Sequence, residues 1–273
     1  MSFLEKAKFL LRRYRIFPNR LLGQNFMVES SILQSMADYA SLNQGDVVLD
    51  VGAGLGFLTR FLSNRCGSVL AVESDACLVK ILREELNDLS NIRVIEGNVL
   101  KASVPQFSKV VSIPPYNISS RLLLWLFAKN FECAVLVVQK EFADRLVASV
   151  GSEDYGWLTV FTCYHVEVEL LDDVPKWMFY PQPKVDSIVV RLKPWKMLPF
   201  ELKNEVLFRQ LVRSFFTQRN RKVRNAVLSF MKGMSAVAAE NSVKLVGDFP
   251  FADKRVRELA PEDFGVLANV LSG

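Results

Sequence analysis

Pro114, Pro115 and Tyr116 form the stretch of this chain best suited to chemistry on a planar, hydrogen-bond-donating ring. An apolar run, Val110-Val111-Ser112-Ile113, ends in the two prolines and the tyrosine, and Asn117-Ile118-Ser119-Ser120 then opens a new apolar run. Proline fixes φ and has no N–H, so this pair leaves carbonyls outside any sheet ladder, free to accept bonds from another partner. The Tyr116 ring supplies a flat face beside them. Carbonyl acceptors next to a stacking ring suit a nucleobase that carries an exocyclic amine.

The elements that must position this stretch are those of a parallel sheet. Residues 46–51 are a short continuous apolar run, the mark of a buried parallel strand. They lead into Gly52-Ala53-Gly54-Leu55-Gly56 and a helix over residues 57–63. Glycines there let backbone N–H groups approach a ligand at a helix N-terminus. The spacing is G-x-G-x-G and not the G-x-G-x-x-G of dinucleotide folds, which leaves a nucleotide-like ligand and a plain tight turn both open. A second strand, 68–72, ends in Glu73, placed to accept from both hydroxyls of a ribose. A helix over 76–86, a strand over 92–95 and Asn98 follow. Asn98 stands at the third strand end, where it can read an adenine edge or serve as a turn residue. The strand 109–112 then delivers the proline stretch, and Ser119 or Ser120 is expected to cap a helix over 121–127. Strands and helices alternating over 45–150 make a doubly wound sheet whose ligands sit at strand C-terminal ends. Each residue singled out lies at such an end.

The flanks are less specific. Residues 1–22 carry Lys6, Lys8, Arg12, Arg13, Arg15 and Arg20 among apolar residues, either a basic arm on RNA or a solvated terminal helix. Ser31 and Gln34 fit a capping box for a helix reaching Ala40. After a strand over 134–138 and a helix carrying Arg145, residues 162–170 and 184–192 alternate like antiparallel strands. Between them, residues 177–184 form a proline-stiffened aromatic loop, as a rule hydrophobic packing. Residues 194–199 punctuate the chain, giving an expected first domain over 1–193 and a helical one over 194–273. In the latter, Arg209, Arg213, Arg219, Arg221, Lys222 and Arg224 place six cations within sixteen positions, more than solubility needs. A last helix opens at Pro261 with acids in its first turn.

Composition narrows the classes. The 273 residues are half apolar, with net charge +5. The chain has one histidine, His165, and four cysteines without a CxxC pair, which argues against a zinc site and for buried thiols in a reducing, cytoplasmic compartment. No signal peptide and no apolar run near 18 residues are present, so neither secretion nor a membrane partner is expected. Nothing calls for an obligate dimer, and a monomer is expected.

Taken together, the sequence resembles the rRNA adenine N6,N6-dimethyltransferases, the kasugamycin-resistance family of ribosome-assembly enzymes. The resemblance is carried by Gly23-Gln24-Asn25-Phe26, the Gly52–Gly56 loop, Gln139-Lys140-Glu141-Phe142, Arg145-Leu146-Val147-Ala148, Phe179-Tyr180-Pro181, Pro183-Lys184-Val185-Asp186-Ser187 and Gln218-Arg219 through Arg224-Asn225. Gly151-Ser152-Glu153-Asp154-Tyr155-Gly156 and Lys254-Arg255-Val256-Arg257-Glu258-Leu259 look closest to its archaeal and eukaryotic branch. It implies an α/β, Rossmann-like methyltransferase domain, a doubly wound and mostly parallel sheet with an antiparallel C-terminal edge, followed by a small α-helical RNA-binding domain. It also implies S-adenosylmethionine (SAM) as methyl donor, with no metal. Two adjacent adenines near the 3′ end of small-subunit rRNA would be the target, met on the assembling small subunit. Gln24, Asn25, Met27, Gly52, Gly54, Gly56, Glu73, Ser74, Asn98, Val99 and Ile113 would line the donor site. Ile113, Pro114, Pro115, Tyr116 and Phe179 would handle the target base, Tyr116 and Phe179 as a sandwich. Arg145, Lys184, Arg209, Arg213, Arg219, Arg221, Lys222 and Arg224 would hold RNA.

Two positions depart from the family pattern. Ile113 stands where the motif has asparagine, whose side-chain oxygen would accept from the target amine, and Asn98 stands where aspartate is usual. The backbone carbonyls of Ile113 and Pro114, or Ser112, are left as acceptors, with incomplete methylation as one expected consequence. The rival readings are an assembly factor that binds rRNA with little or no methyl transfer, and an N6-adenine methyltransferase acting on DNA.

Overall fold

The apolar runs pair into one seven-stranded sheet. The structure, a computed structural model, describes residues 1–19, 22–234 and 249–272, so Arg20 of the basic arm lies outside the described residues. The chain opens with α1 (Phe3–Arg13), β1 (Phe26–Met27), α2 (Ser30–Tyr39), β2 (Val47–Val51), α3 (Phe57–Ser63) and β3 (Ser68–Glu73). It continues with α4 (Ala76–Glu85), β4 (Ile92–Glu96), β5 (Lys109–Ser112), α5 (Ser119–Phe127), β6 (Cys133–Gln139) and α6 (Lys140–Leu146). Then come α7 (Trp157–His165), β7 (Val166–Val174), β8 (Phe179–Tyr180), β9 (Ser187–Pro194), α8 (Glu205–Phe216), α9 (Val223–Met234) and α10 (Pro261–Leu271).

The sheet order is β4-β3-β2-β5-β6-β9-β7. β4 through β6 are parallel and β9 runs antiparallel to β6. The chain winds outward from β2 to β4, then returns to lay β5 on the other side of β2. The strand order therefore reverses between β2 and β5, which opens a crevice at their C-terminal ends. On one sheet face, Val48, Val69, Val111, Val135 and Val189 pack with α2 and α3 through Ile32, Leu33, Met36, Leu58 and Leu62. Asp50 and Ile113 share that face by strand alternation.

The chain divides into two compact units, residues 1–143 with 168–194, and residues 144–167 with 195–273. The expected single cut at 194 misses that the second unit also draws on 144–167. α7 is the reason. Its Phe161 and Tyr164 rings lie 6.0 and 5.5 Å from that of Phe208, and Phe215 meets Phe264 edge-on. Just before α7, the Tyr155 hydroxyl donates to the Leu259 carbonyl at 2.7 Å. Aromatic burial thus makes residues 162–165 helical where alternation suggests strand.

Local capping also differs from expectation. Glu29, not Ser31, caps α2, and Gln34 instead donates to Asp38. Ile118 occupies the cap position of α5, whose first residue Ser119 donates to the Tyr116 carbonyl at 3.0 Å. Among the described residues, no helix is long and apolar enough to cross a membrane.

At the opposite end of β5, Lys109 is buried with Asp46, 2.9 Å away, and donates also to the Ser41 carbonyl. Removing one partner of a buried pair leaves an uncompensated charge. Lys109→Met should therefore lower unfolding free energy by about 3–5 kcal/mol in urea titrations, with much of it regained on adding Asp46→Asn.

Candidate active site

The crevice is assembled around the ring of Pro115. Gly52, directly after β2, has φ +75°, and a Cβ there would stand 2.7 Å from Pro115 Cδ. Gly23 has φ +69°, and its Cβ would meet Pro115 Cβ at 3.4 Å. At Gly52 only glycine combines this backbone conformation with so close an approach, while at Gly23 the positive φ is the constraint and the contact is an ordinary one. Farther along the loop, Gly54 lies against the Phe26 ring and Gly56 against Leu82.

Three clefts adjoin at Gly52. One, of about 470 Å³, is lined by Gln24, Asn25, Gly54, Glu73, Ser74, Ile113, Pro114, Pro115 and Tyr116 among others. A second, of about 370 Å³, adds Met27, Asp50 and Leu58. The third, of about 630 Å³, extends past Pro115 to Asn98, Val99, Asn117, Ile118 and Arg121. All are lined by residues of the first compact unit. Gly56 and Phe179 line none of the three.

The glycine loop does not present its N–H groups as the sequence suggests. Those of Gly52 and Ala53 donate to the Val72 carbonyl, at 2.8 and 3.2 Å. That of Gly54 donates to Glu73 Oε2 at 3.0 Å. Glu73 Oε1 accepts from the N–H groups of Ser74 and Asp75, at 2.7 and 2.9 Å. Glu73 is therefore a buried clamp on the loop, with lone-pair capacity left chiefly on Oε2. Gln24 donates to Asp75 at 2.7 Å and accepts from the Asn19 N–H, tying the segment before β1 to the start of α4. The Asn98 amide oxygen accepts from the Leu100 N–H at 3.0 Å, and its N–H₂ has no partner among the described residues.

Asp50 escapes the sequence reading, although an acid inside an apolar strand run is the signal for it. It is 1% exposed; Oδ2 accepts from Thr59 at 2.7 Å while Oδ1 has no partner among the described residues. Burial pushes its carboxyl up to about 7, offset in part by the Thr59 bond and reinforced by the charge of Glu73.

Around Tyr116 the acceptors sort themselves. The Pro115 carbonyl is taken by the Ile118 N–H at 3.1 Å. The Ser112 hydroxyl is buried, donates to the Val51 carbonyl at 2.7 Å and accepts from its N–H at 3.0 Å, so it cannot replace the lost asparagine. The carbonyls of Ile113 and Pro114 accept nothing among the described residues. The Tyr116 hydroxyl is 2.6 Å from that of Ser187, a partner 71 residues away that sequence cannot reveal. Burial pushes the phenol up to about 12, the Ser187 contact opposing it. Phe179, expected as an open platform, is 2% exposed, because β8 pairs Phe179 with Met27 of β1 and turns its ring into the core. A base stacking on it would first displace the side chains that cover it.

The candidate RNA-binding cations fall on both units, Lys184 on the first and the rest on the second. Arg219 is committed internally, donating to the carbonyls of Glu153 and Ser152 at 2.7 Å each. Lys222 and Arg224 share exposed Asp253, each at 3.0 Å, Arg221 donates to Gln218, and Arg209 pairs with Glu205. Arg213 lies 5.3 Å from the Trp157 ring. Lys184 is exposed, and Arg145, also exposed, passes its carbonyl to Thr159. Among the described residues, no group of three or more His, Cys, Asp or Glu is placed to hold a metal ion.

A family model described as ribosomal RNA adenine dimethylase matches residues 18–260. A probable ribosomal RNA small subunit methyltransferase A of Methanosarcina mazei is 38% identical over 264 residues, 96% of each chain. One of Thermococcus onnurineus is 40% identical over 263 residues, 95% of this chain and 94% of that one. Among solved structures, a dimethyladenosine transferase from Plasmodium falciparum shows a TM-score of 0.77 at 27% identity, covering 89% of this chain and 95% of that one. The 23S rRNA methyltransferase ErmE shows 0.66 at 29%, covering 91% and 100%.

Two measurements test this geometry. Gly52→Ala forces a Cβ into Pro115 and should cost roughly 1–3 kcal/mol, read as a lowered Tm. Asp50 holds its proton in the folded state up to about pH 7 but loses it near 4 when unfolded. Its contribution to stability therefore falls as pH rises through that window and levels off above it. Asp50→Asn should gain on the native protein by about 2.5 kcal/mol between pH 5 and 8 in urea titrations.

Proposed function

The chain belongs to the ribosomal RNA adenine dimethylase family, and on that premise we propose that it methylates the N6 amines of two adjacent adenines near the 3′ end of small-subunit rRNA. SAM is the donor, the assembling small subunit the partner, and the chain acts as a monomer. One observation carries the reading: a cleft rich in ribose and nucleobase partners and a set of free carbonyls beside Tyr116 share the walls Gly52 and Pro115.

The residues fit such a donor. Glu73 keeps acceptor capacity for a ribose hydroxyl, and the glycine loop leaves room where a Cβ would intrude. Val99 and Ile118 offer apolar surface to an adenine whose edge the Asn98 amide can meet. The unpartnered oxygen of Asp50, with Asn25 in the same cleft, suits the ammonium of a methionine moiety. SAM, when bound, supplies an electrophilic methyl on a sulfonium.

This chain's residues then make an adenine amine nucleophilic. Its lone pair is delocalised into the ring. A carbonyl of Ile113 or Pro114 that accepts an amine N–H turns that lone pair out of conjugation. The same dipole meets the positive charge that develops on nitrogen, oxyanion-hole logic with the sign reversed. Tyr116, pinned at its hydroxyl by Ser187, fixes the ring for in-line transfer. With its ionisation pushed to about 12, the phenol stays neutral in ordinary assays and serves as a surface, not a base. The target must leave its helix, so unstacked RNA is favoured. Exposed pairs are worth little, so Lys222, Arg224 and Arg209 can exchange their carboxylates for phosphates at small cost, while Arg219 remains a strut.

The test is incubation of labelled SAM with small subunits lacking these methyl groups, the product mapped by nuclease digestion and mass spectrometry. Label at adenine N6 near the 3′ end is expected; tight subunit binding without label overturns the reading. Tyr116→Ala should lower turnover about 10–100-fold, the worth of one stacked base, with SAM affinity in equilibrium dialysis kept.

A further inference from the structure

We infer that Ile113 makes the amine site selective for an adenine that already carries one methyl group, so that the second transfer outruns the first. This rests on the proposed function and names the substrate preference of the same site.

The side chain of Ile113 packs against the cluster containing Met27 and Phe179, and it lines both the cleft of Tyr116 and that of Asp50. Hydrocarbon therefore faces the place where the amine is worked on. Of the other polar groups nearby, Ser112 is committed to Val51, the Pro115 carbonyl to Ile118 and the Tyr116 hydroxyl to Ser187, while Asp50 and Asn25 are taken up by the donor in the proposed function. Two carbonyls without a partner among the described residues remain, those of Ile113 and Pro114. Each residue precedes a proline, which holds both in extended backbone, where successive carbonyls point apart. Only one of them can face a given amine.

An unmethylated adenine amine brings two N–H donors to this one acceptor. The second donor meets Ile113 and goes unpaired in a closed site, which is costly. A monomethylated amine brings one N–H and one methyl. Its N–H takes the carbonyl, and its methyl buries against Ile113, Met27 and the wall behind them. In each transfer the amine nitrogen forms the new N–CH₃ bond as the S–CH₃ bond breaks. The sulfonium leaves as a neutral thioether, and the proton of the methylated amine goes to water. The two effects together favour the second transfer by about tenfold to a hundredfold.

Single-turnover time courses on small subunits lacking these methyl groups read the preference directly. With SAM and the native protein, N6-methyladenosine should stay below about a tenth of the target adenines, the peak expected when the second step is tenfold faster. Ile113→Asn, which supplies an amide oxygen, should let it rise to about a third, the value for equal rates, while Ile113→Val, which keeps the hydrocarbon, should hold it low. Competition between unmodified and monomethylated subunits, run on the native protein alone, should favour the latter by about tenfold or more. Transfer in which the native protein accumulates the monomethyl product to about a third, or shows no preference in competition, overturns this inference. Absence of transfer to either substrate overturns instead the function on which it rests.

Discussion

The site depends on the ring of Pro115 seated against two glycine backbones. Gly52 ends the path of β2 and Gly23 lies on the segment before β1, while Pro115 comes two residues after the carbonyl of Ile113. The contact sits where the sheet order reverses, so it joins loops from both sides of the crevice. Pro115 is thereby a shared wall, and a shift on one side is felt on the other. Glu73 reinforces the arrangement by satisfying three backbone N–H groups of the adjoining turns, donors that would otherwise need water or ligand. The walls of the crevice are held by the chain's own hydrogen bonds, and walls so held lower the ordering cost of binding.

How legible this was in the sequence depends on the range of the interaction. The parallel strands were readable because short continuous apolar runs alternate with helical stretches, and β5 occupies the expected residues 109–112. The positions of Glu73, Asn98 and Tyr116 at strand ends follow from that alone. The glycine spacing, by contrast, says nothing about where N–H groups point, and they turn to Val72 and Glu73 instead of outward. The anchors of Tyr116 and of the loop at Ser152 come from Ser187 and Arg219, far away in sequence, and no local pattern encodes them. Residues 162–165 were misleading for another reason. Thr162, Cys163, Tyr164 and His165 suit either strand or helix, and packing against Phe208 decides between them.

The cation cluster shows the same limit from the side of charge. Sequence displays residue types, not partners, and Asp253 lies some thirty positions from the two cations it neutralises. Distance in sequence hid that pairing, yet the pairing itself is weak, because all three side chains are at least 42% exposed. The Arg219 guanidinium is a different case: it donates to two carbonyls of one loop, those of Glu153 and Ser152. Composition alone cannot separate these two uses of arginine.

The chemistry assigned to the crevice needs no group that changes charge near the reacting atoms. Tyr116 stays protonated, the acceptors are backbone carbonyls, and Ile113 is hydrocarbon. Asp50, on the side of the donor, is poised to change protonation near neutrality. An ammonium placed against its unpartnered oxygen would favour the carboxylate and draw its titration down from about 7. Donor binding and ionisation of Asp50 are then one linked event. The pH sensitivity of such a site belongs to binding of the donor, while the methyl transfer itself is governed by orientation and by fixed dipoles.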